Sequence, residues 1–424
     1  MAPSIVHPSP ALCRFMERLR LPLSQPQHRH LTNVADALLV CETERTLAAL
    51  HRQFVEGVDP SNTADFFRIS PWQADIVRER LQAFLVQWAI DQAPANQPTP
   101  VIRISLDDSI AEKDKATRHL EPVDWHYDHV ESQKGRPRYK NGLSYLDCTV
   151  RVGPIEFTYD IRPYLRERTV RRLNRQRPKE ERLYFISKTR LARRVLSTLA
   201  PRLPKGSRVY VHFDAWYASA PLIKFCRRQG WHVVSAIKSN RKLNGTRIDR
   251  QSAALRHKRY LRVAVTAADG KATTYLVRTL RGRLEEVPGE VCAFVSRRHN
   301  RDKRPTYFMS TDLALDAQGA LQGYGQRWSC EVDNFYLKLR VGLGDFRLQA
   351  FEAVDRWIVA VQLAWAYVQW RFAQERSAQV RCHADVIRRH QDEHLQDWLV
   401  AALTMVRETD SVEAAARRFL GQSA

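Results

Sequence analysis

Apolar residues recur at three- and four-residue intervals through most of residues 10 to 90, the spacing that lines one face of a helix. Leu31 to Phe54 keeps this period. A second stretch follows Ser70 and Pro71, with Trp72, Ile76, Val77, Leu81, Phe84, Leu85 and Trp88 on one side. Serine before proline predicts a helix start there. Residues 1–95 are therefore expected to form a helical N-terminal domain. Pro94, Pro98 and Pro100 mark the segment from Asp91 to Pro100 as a linker.

Beyond the linker the pattern shortens to strands. Val101 to Leu106 reads as one, running into Asp107, Asp108 and Ser109. Asn141 to Val152 and Ile155 to Tyr159 read as two more, joined by a Gly153-Pro154 turn. Leu183 to Leu199 has a helical period, Arg208 to Phe213 is a strand ending at Asp214, Pro221 to Arg228 is helical, and His232 to Ile237 is again a strand. Four further β-like runs follow, near 261–266, 273–280, 291–296 and 306–309, before a helix that carries Glu331. From Arg356 onward the chain is helical and rich in Trp, Ala and Leu. This order predicts a multi-domain α/β protein. Its core occupies 100–240, a β-rich insertion 241–312, the glutamate helix 313–355 and a helical C-terminal region 356–424. Trp357, Trp365 and Trp370 are expected in the core.

Charge narrows the partner. The net charge is +22 and the pI about 10.0, which points to a polyanion, either nucleic acid or an anionic membrane. A membrane role is disfavoured. The longest apolar run, Trp357 to Trp370, is interrupted by Gln362 and Gln369 and is too short to span. Met1 to Pro10 shows no signal-peptide pattern. The seven cysteines contain no CxxC pair, which fits reduced thiols in a cytoplasm. Between Arg162 and Arg208 stand sixteen Lys or Arg and only three acids. Such a patch binds DNA through counterion release, and Arg171, Arg172, Arg175, Arg193 and Arg194 are its candidate phosphate contacts. His126 and His129 have ligand-like spacing, but no Cys or second pair completes a zinc site.

The candidate chemistry lies in acids. On one continuous helix with Tyr324 at 0°, Arg327 falls at about 300°, Glu331 at about 340° and Lys338 at about 320°. A carboxylate thus stands among a phenol, a guanidinium and an ammonium. Trp328, Val332, Phe335 and Leu339 form an adjoining stripe, expected to be buried, with Trp328 packing under the site. Asp107 or Asp108 at the end of the first strand, and Asp214 at the end of the fourth, occupy the places where open α/β sheets build their sites. Strand alternation sends Asp107 and Asp108 to opposite faces, so only one of them can join Asp214 and Glu331. Three such acids can hold two Mg2+ about 4 Å apart, the arrangement that serves in-line phosphoryl displacement.

These residues resemble a known family. Tyr324, Arg327, Glu331 and Lys338, with two, three and six residues between them, match the Y-(2)-R-(3)-E-(6)-K signature of one branch of the bacterial insertion-sequence DDE transposases, whose catalytic fold is RNase H-like. Asp107, Asp108 and Ser109 resemble the family's first-strand Asp-x-Thr, with serine replacing threonine; that alignment favours Asp107. The segment from Asp214 to Ser219 and the later Lys238 to Lys242 resemble the second-aspartate region. The resemblance covers about 101 to 370 and implies an RNase H-like core, with the helical region 1–95 expected as a DNA-binding domain. It implies Asp107, Asp214 and Glu331 as ligands of two Mg2+, which Mn2+ can replace, and Tyr324, Arg327 and Lys338 as phosphate contacts. It also implies cut-and-paste transposition through a hairpin intermediate, on double-stranded DNA, by a homodimer. The rivals are a transposase-derived DNA-binding protein and a metal-dependent nuclease without strand transfer.

Overall fold

The structure is a computed structural model that describes residues 4–57, 59–93, 100–128, 131–133, 135–255, 257–266, 270–299 and 304–420. Of the expected linker, residues 94–99 lie outside the described residues. Five helices come first: α1 (Pro10–Arg18), α2 (Gln25–Val40), α3 (Leu47–His51), α4 (Pro60–Arg68) and α5 (Ala74–Asp91). The apolar period of 31–54 therefore spans two helices, not one. Ser70-Pro71 does not open α5. Ser70 accepts a hydrogen bond from Gln27 at 3.1 Å, while the Trp72 indole donates to the Phe66 carbonyl at 2.8 Å and stacks on the Phe66 ring. These contacts hold the segment as the corner between α4 and α5, and the helix starts three residues after the proline.

The sheet strands are β1 (Val101–Glu112), β2 (Asp124–Tyr127), β3 (Tyr139–Val152) and β4 (Ile155–Tyr164), then β5 (Arg208–Phe213) and β6 (His232–Ala236). Between β4 and β5 come α6 (Glu167–Leu173) and α7 (Lys188–Leu199), and between β5 and β6 comes α8 (Ala220–Arg228). Strands β4, β3 and β1 pair antiparallel; β1, β5 and β6 pair parallel. The order β4-β3-β1-β5-β6 is that of an RNase H-like core. Strand β3 is buried almost along its whole length because helices cover both faces of the sheet.

After β6 come a small hairpin, β7 (Lys242–Leu243) and β8 (Thr246–Arg247), and α9 (Ile248–Ala254). Four strands follow: β9 (Leu261–Thr266), β10 (Ala272–Arg283), β11 (Glu290–Arg297) and β12 (Thr306–Ser310). The β-rich insertion does not stand apart from the core. Strand β12 pairs antiparallel with β6, and β11, β10 and β9 continue outward, giving a ten-stranded sheet. The edge of β6 would otherwise expose unpaired backbone groups, and the insertion covers it.

The chain ends in α10 (Ala317–Gly325), α11 (Trp328–Leu339), α12 (Phe351–Glu375), α13 (His383–Thr409) and α14 (Val412–Leu420). Helices α11 and α12 cover one sheet face, where Thr158 of β4 bonds Asp333 and Trp365. Helix α7 covers the other, where Tyr159 meets Thr198 at 3.0 Å. One hydrophobic core runs from α1–α5 through the sheet to α12, and Trp357, Trp365 and Trp370 lie within it as expected. Among the described residues no helix is long and apolar enough to cross a membrane.

Candidate active site

Strand β1 pairs with β5 only as far as Ser105 opposite His212, while β3 stays paired with it to Glu112. Asp107 and Asp108 thus lie inside a long strand, not at its end. They still stand where the parallel neighbour stops, and Asp214 is the first residue after that neighbour. Alternation sends Asp107, with Ser109, to the face under α11. Asp108 turns to the face of α7, where Lys188 pairs with it.

The stretch from Tyr324 to Lys338 is two helices, not one. Arg327 N donates to the Tyr324 carbonyl and Cys330 N to the Arg327 carbonyl, both at 3.0 Å. These three-residue steps tighten the join between α10 and α11 and shift the phase of every residue after it. The buried face of α11 is Cys330, Asp333, Asn334 and Leu337. The apolar stripe expected to be buried is instead outward. Trp328 is 62% exposed, and Phe335 and Leu339 are also exposed, so Trp328 does not pack under the site. The reason is chemical. The sheet presents polar groups to α11, and they take its polar face: the Tyr145 hydroxyl donates to Asn334 at 2.6 Å, Thr158 donates to Asp333 at 2.6 Å, and Thr149 meets Cys330 at 2.8 Å.

Arg327 is the centre of the arrangement. Its Nη1 donates to Asp107 Oδ2 at 2.8 Å and its Nη2 to Glu331 Oε1 at 2.8 Å. The guanidinium carbon lies 5.6 Å from the Tyr324 ring centre. Burial alone would lower the Arg327 pKa, but Asp107, Tyr324 and Glu331 outweigh it and raise it. Burial pushes the Asp107 carboxyl up to about 6, against the pull of Arg327 and the Asp108 amide; the charges of Asp108 and Asp214 add to the rise. Asp214 is therefore within electrostatic reach of Asp107. Its Oδ1 accepts from the amides of Trp216 at 2.9 Å and Tyr217 at 3.1 Å, which fixes the turn after β5. Lys338 Nζ donates to Ser109 Oγ at 2.9 Å. Asp107, Asp108, Glu331, Asn334 and Lys338 line a cleft of about 600 Å³. Beneath it, Asp147 faces Asp107 across the strand pair and is fully buried. Burial holds its carboxyl well above the usual range, helped by the charges of Asp333 and Asp107.

Four of the five candidate arginines of the basic stretch are exposed: Arg171, Arg172, Arg175 and Arg194. Arg171 pairs with Glu167 at 2.6 Å, and Arg172 donates to the Glu121 carbonyl at 3.0 Å. Arg193 is half-buried, 6.0 Å from the Phe225 ring centre. Sequence reasoning missed Lys188, which pairs with Asp108 and lies over the Tyr164 and Trp216 rings at 5.2 and 5.8 Å. Its one local signal is Ser187, which caps α7 and so aims the first residue of that helix at the sheet end.

His126 is buried, and burial pushes its imidazole down to about 4; His129 lies outside the described residues. Among the described residues, the cluster with metal-ligand spacing is elsewhere: Asp36, His390 and His394. There the Nε2 atoms of His390 and His394 lie 2.7 and 2.9 Å from Asp36 Oδ1, and Ser9 N donates to Oδ2 at 2.9 Å, tying α13 to α2.

Asp107, Asp214 and Glu331 offer only oxygen donors, the set that hard divalent cations take. Arg327 stands between two of them, so binding a cation there requires it to release a carboxylate. The sequence profile described as DDE superfamily endonuclease matches residues 17–281, more than half of the chain. The match takes in Asp107, Asp108 and Asp214 and ends before Glu331. No curated protein matches the chain. On the extent of that match, and with its RNase H-like core, the chain belongs to the DDE superfamily of endonucleases.

Proposed function

We propose that this chain is an insertion-sequence transposase of the Y-(2)-R-(3)-E-(6)-K branch. It nicks DNA at element ends, frees the element through a hairpin intermediate and joins it to target DNA. The family relationship supports DNA as the substrate and divalent metal as the cofactor. Asp107, Asp214 and Glu331 would hold two Mg2+, for which Mn2+ substitutes; bound there, the ions supply an activated hydroxyl and charge neutralisation at the phosphate. Asp108, held by Lys188 on the opposite face, ties β1 to α7 instead.

The chain's own contribution is positioning. Arg327 carries a planar fork divided between two carboxylates, and a scissile phosphate that displaces both can be gripped by the same two donors. Tyr324 stacks against that fork, and Lys338 reaches the cleft from the far end of α11, so the three contact phosphates on either side of the scissile bond. Exposed arginines of the basic stretch hold the flanking duplex. The helical region 1–95 would make further DNA contacts. It carries nine Arg and ten acids, so general phosphate affinity rests on the basic stretch. The ends of an element are paired by two copies of the chain.

The observation that carries this reading is the bridge from Asp107 through Arg327 to Glu331. It joins a strand and a helix that are distant in sequence, and Asp107 and Glu331 line one cleft with Lys338. The test is a gel assay of the purified chain with the DNA flanking its own gene, with and without Mg2+. Nicked, hairpin and joined products are expected only with metal. Binding without cleavage would leave a DNA-binding protein. Cleavage without joining of a pre-cut end would leave a nuclease.

A further inference from the structure

The fold holds a buried cluster that the chemistry of the cleft does not use. Asp36 of α2 meets His390 and His394 of α13, 354 and 358 residues away in sequence. Their donor atoms all lie within 4.8 Å of one another, and all three side chains are buried. Histidines four residues apart share one helix face, the spacing with which two imidazoles reach a single ion. Here both turn Nε2 to one atom, Asp36 Oδ1, at 2.7 and 2.9 Å.

The cluster lacks a permanent positive charge. The buried Asp160 is paired with Arg78 and Arg162. Among the described residues, the ion-pair partners of Asp36 are the two imidazoles, which carry no permanent charge. A carboxylate removed from water needs a counter-charge, and a divalent cation supplies one. The surroundings suit such an ion. Ser9 N donates to Asp36 Oδ2 at 2.9 Å, which leaves Oδ1 to ligate. The Tyr367 hydroxyl lies 3.4 Å from His390 Nδ1 and accepts from Arg371 Nη1 at 3.1 Å, so that ring is held from behind. Ser9 and His394 border a cavity of about 400 Å³, with Arg14, Glu393 and Asp397 in its wall, which gives an ion a way in. Two imidazole nitrogens and one carboxylate oxygen are ligands that Zn2+ takes, whereas Mg2+ takes oxygen.

We propose that Asp36 Oδ1, His390 Nε2 and His394 Nε2 bind a structural Zn2+ that fastens α13 to α2. The ion takes the place of the two imidazole protons, which leave to solvent. The hydrogen-bonded tie is the form that remains when the ion is removed. This site uses none of the residues of the Asp107 cleft and does not rest on the transposase reading.

The experiment uses the full-length chain, stripped with chelator and then titrated with Zn2+ in excess Mg2+, which occupies oxygen-only sites. Bound zinc is counted by elemental analysis, and the thermal midpoint is followed alongside. Wild type is expected to hold about one zinc per chain. Its midpoint should rise by about 3 °C when free zinc is about a hundred times its dissociation constant. His394→Gln removes a ligand and should weaken zinc binding at least about a hundredfold. Tyr367→Phe keeps all three ligands and should weaken it about tenfold, which decides the matter if His394→Gln fails the circular-dichroism control for folding. Glu331→Gln should hold zinc as wild type does. A wild type without zinc, a midpoint that zinc raises equally in folded His394→Gln, zinc affinity unchanged in Tyr367→Phe, or zinc lost in Glu331→Gln would each overturn the proposal.

Discussion

Arg327 and Asp107 are 220 residues apart in sequence and joined by a 2.8 Å ion pair. The same guanidinium reaches Glu331, four residues further along its own chain segment, at 2.8 Å. A half-buried strand acid and a helix acid are thus held near one another by a cation that belongs to the protein. Arginine does this with a planar fork whose donors point in two fixed directions.

That geometry sets the first prediction. Arg327→Lys keeps the charge but loses the planar fork that can grip a phosphate at two points. End processing and joining should slow by at least about tenfold while DNA affinity changes little. Lys338→Ala should weaken retention of the cut end. A time course of nicked, hairpin and joined products checks both. Curves that superimpose on wild type would reduce these residues to ordinary ion pairs, worth about 0.5 kcal/mol each.

The two faces of β1 separate the neighbouring acids. Asp107→Asn, Asp214→Asn and Glu331→Gln should each abolish metal-dependent cleavage and spare DNA binding, since affinity comes from Lys and Arg. Asp108→Asn should retain substantial activity, because Asp108 pairs with Lys188 on the other face. Full activity in Asp214→Asn, or loss confined to Asp108→Asn, would contradict the assignment.

Salt dependence tests the basic stretch. Neutralising Arg171, Arg172, Arg175 and Arg194, all exposed, should flatten the log–log plot of affinity against salt by about 0.9 per lost phosphate contact. Arg193, packed near Phe225, should contribute less to the slope than the other four. An unchanged slope would mean that this surface faces something other than DNA.

A structural arginine makes a contrasting case. Arg78 is fully buried between Asp355 at 2.6 Å, Asp75 at 2.5 Å and Asp160 at 3.4 Å. Arg78→Met leaves the buried Asp160 paired with Arg162 at 2.8 Å. Removing one partner of such a group costs about 3 kcal/mol or more. Urea unfolding measures it, and a loss under about 1 kcal/mol would show that Arg162 compensates.

The tie between α2 and α13 makes stability depend on pH. Burial alone would raise the Asp36 carboxyl, but hydrogen bonds with His390 and His394 outweigh it and hold it well below the usual range. A depressed acid stabilises the fold above its unfolded pKa of about 4 and loses that stabilisation as pH falls below it. Between about pH 4 and pH 2, wild type should therefore lose more thermal stability than Asp36→Asn, which has no carboxyl there to protonate. Parallel profiles would refute this.

Much of the fold was legible in the chain itself. Alternation marked β3, β5 and β6 nearly to their ends and the first half of β1, and the placement of Asp107, Asp214 and Glu331 along the chain ordered the candidate acids before any contact was known. These are local properties. Strand alternation and turn chemistry depend on a few adjacent residues, and the +13 excess between Arg162 and Arg208 needs only counting.

Tertiary structure decided the rest. Trp328, Phe335 and Leu339 have the spacing of a buried stripe and yet face outward, because Tyr145, Thr149 and Thr158 of the sheet select the polar side of α11. The tightened turn at Arg327 broke a helix that a uniform period had carried through. The strands after β6 looked separable until β12 paired with β6. Which of two adjacent acids turns toward Glu331 depended on which helix covers each face of β1. A helix or strand states its own period, but what lies across from it, and so which face is buried, is set by residues far away in the chain.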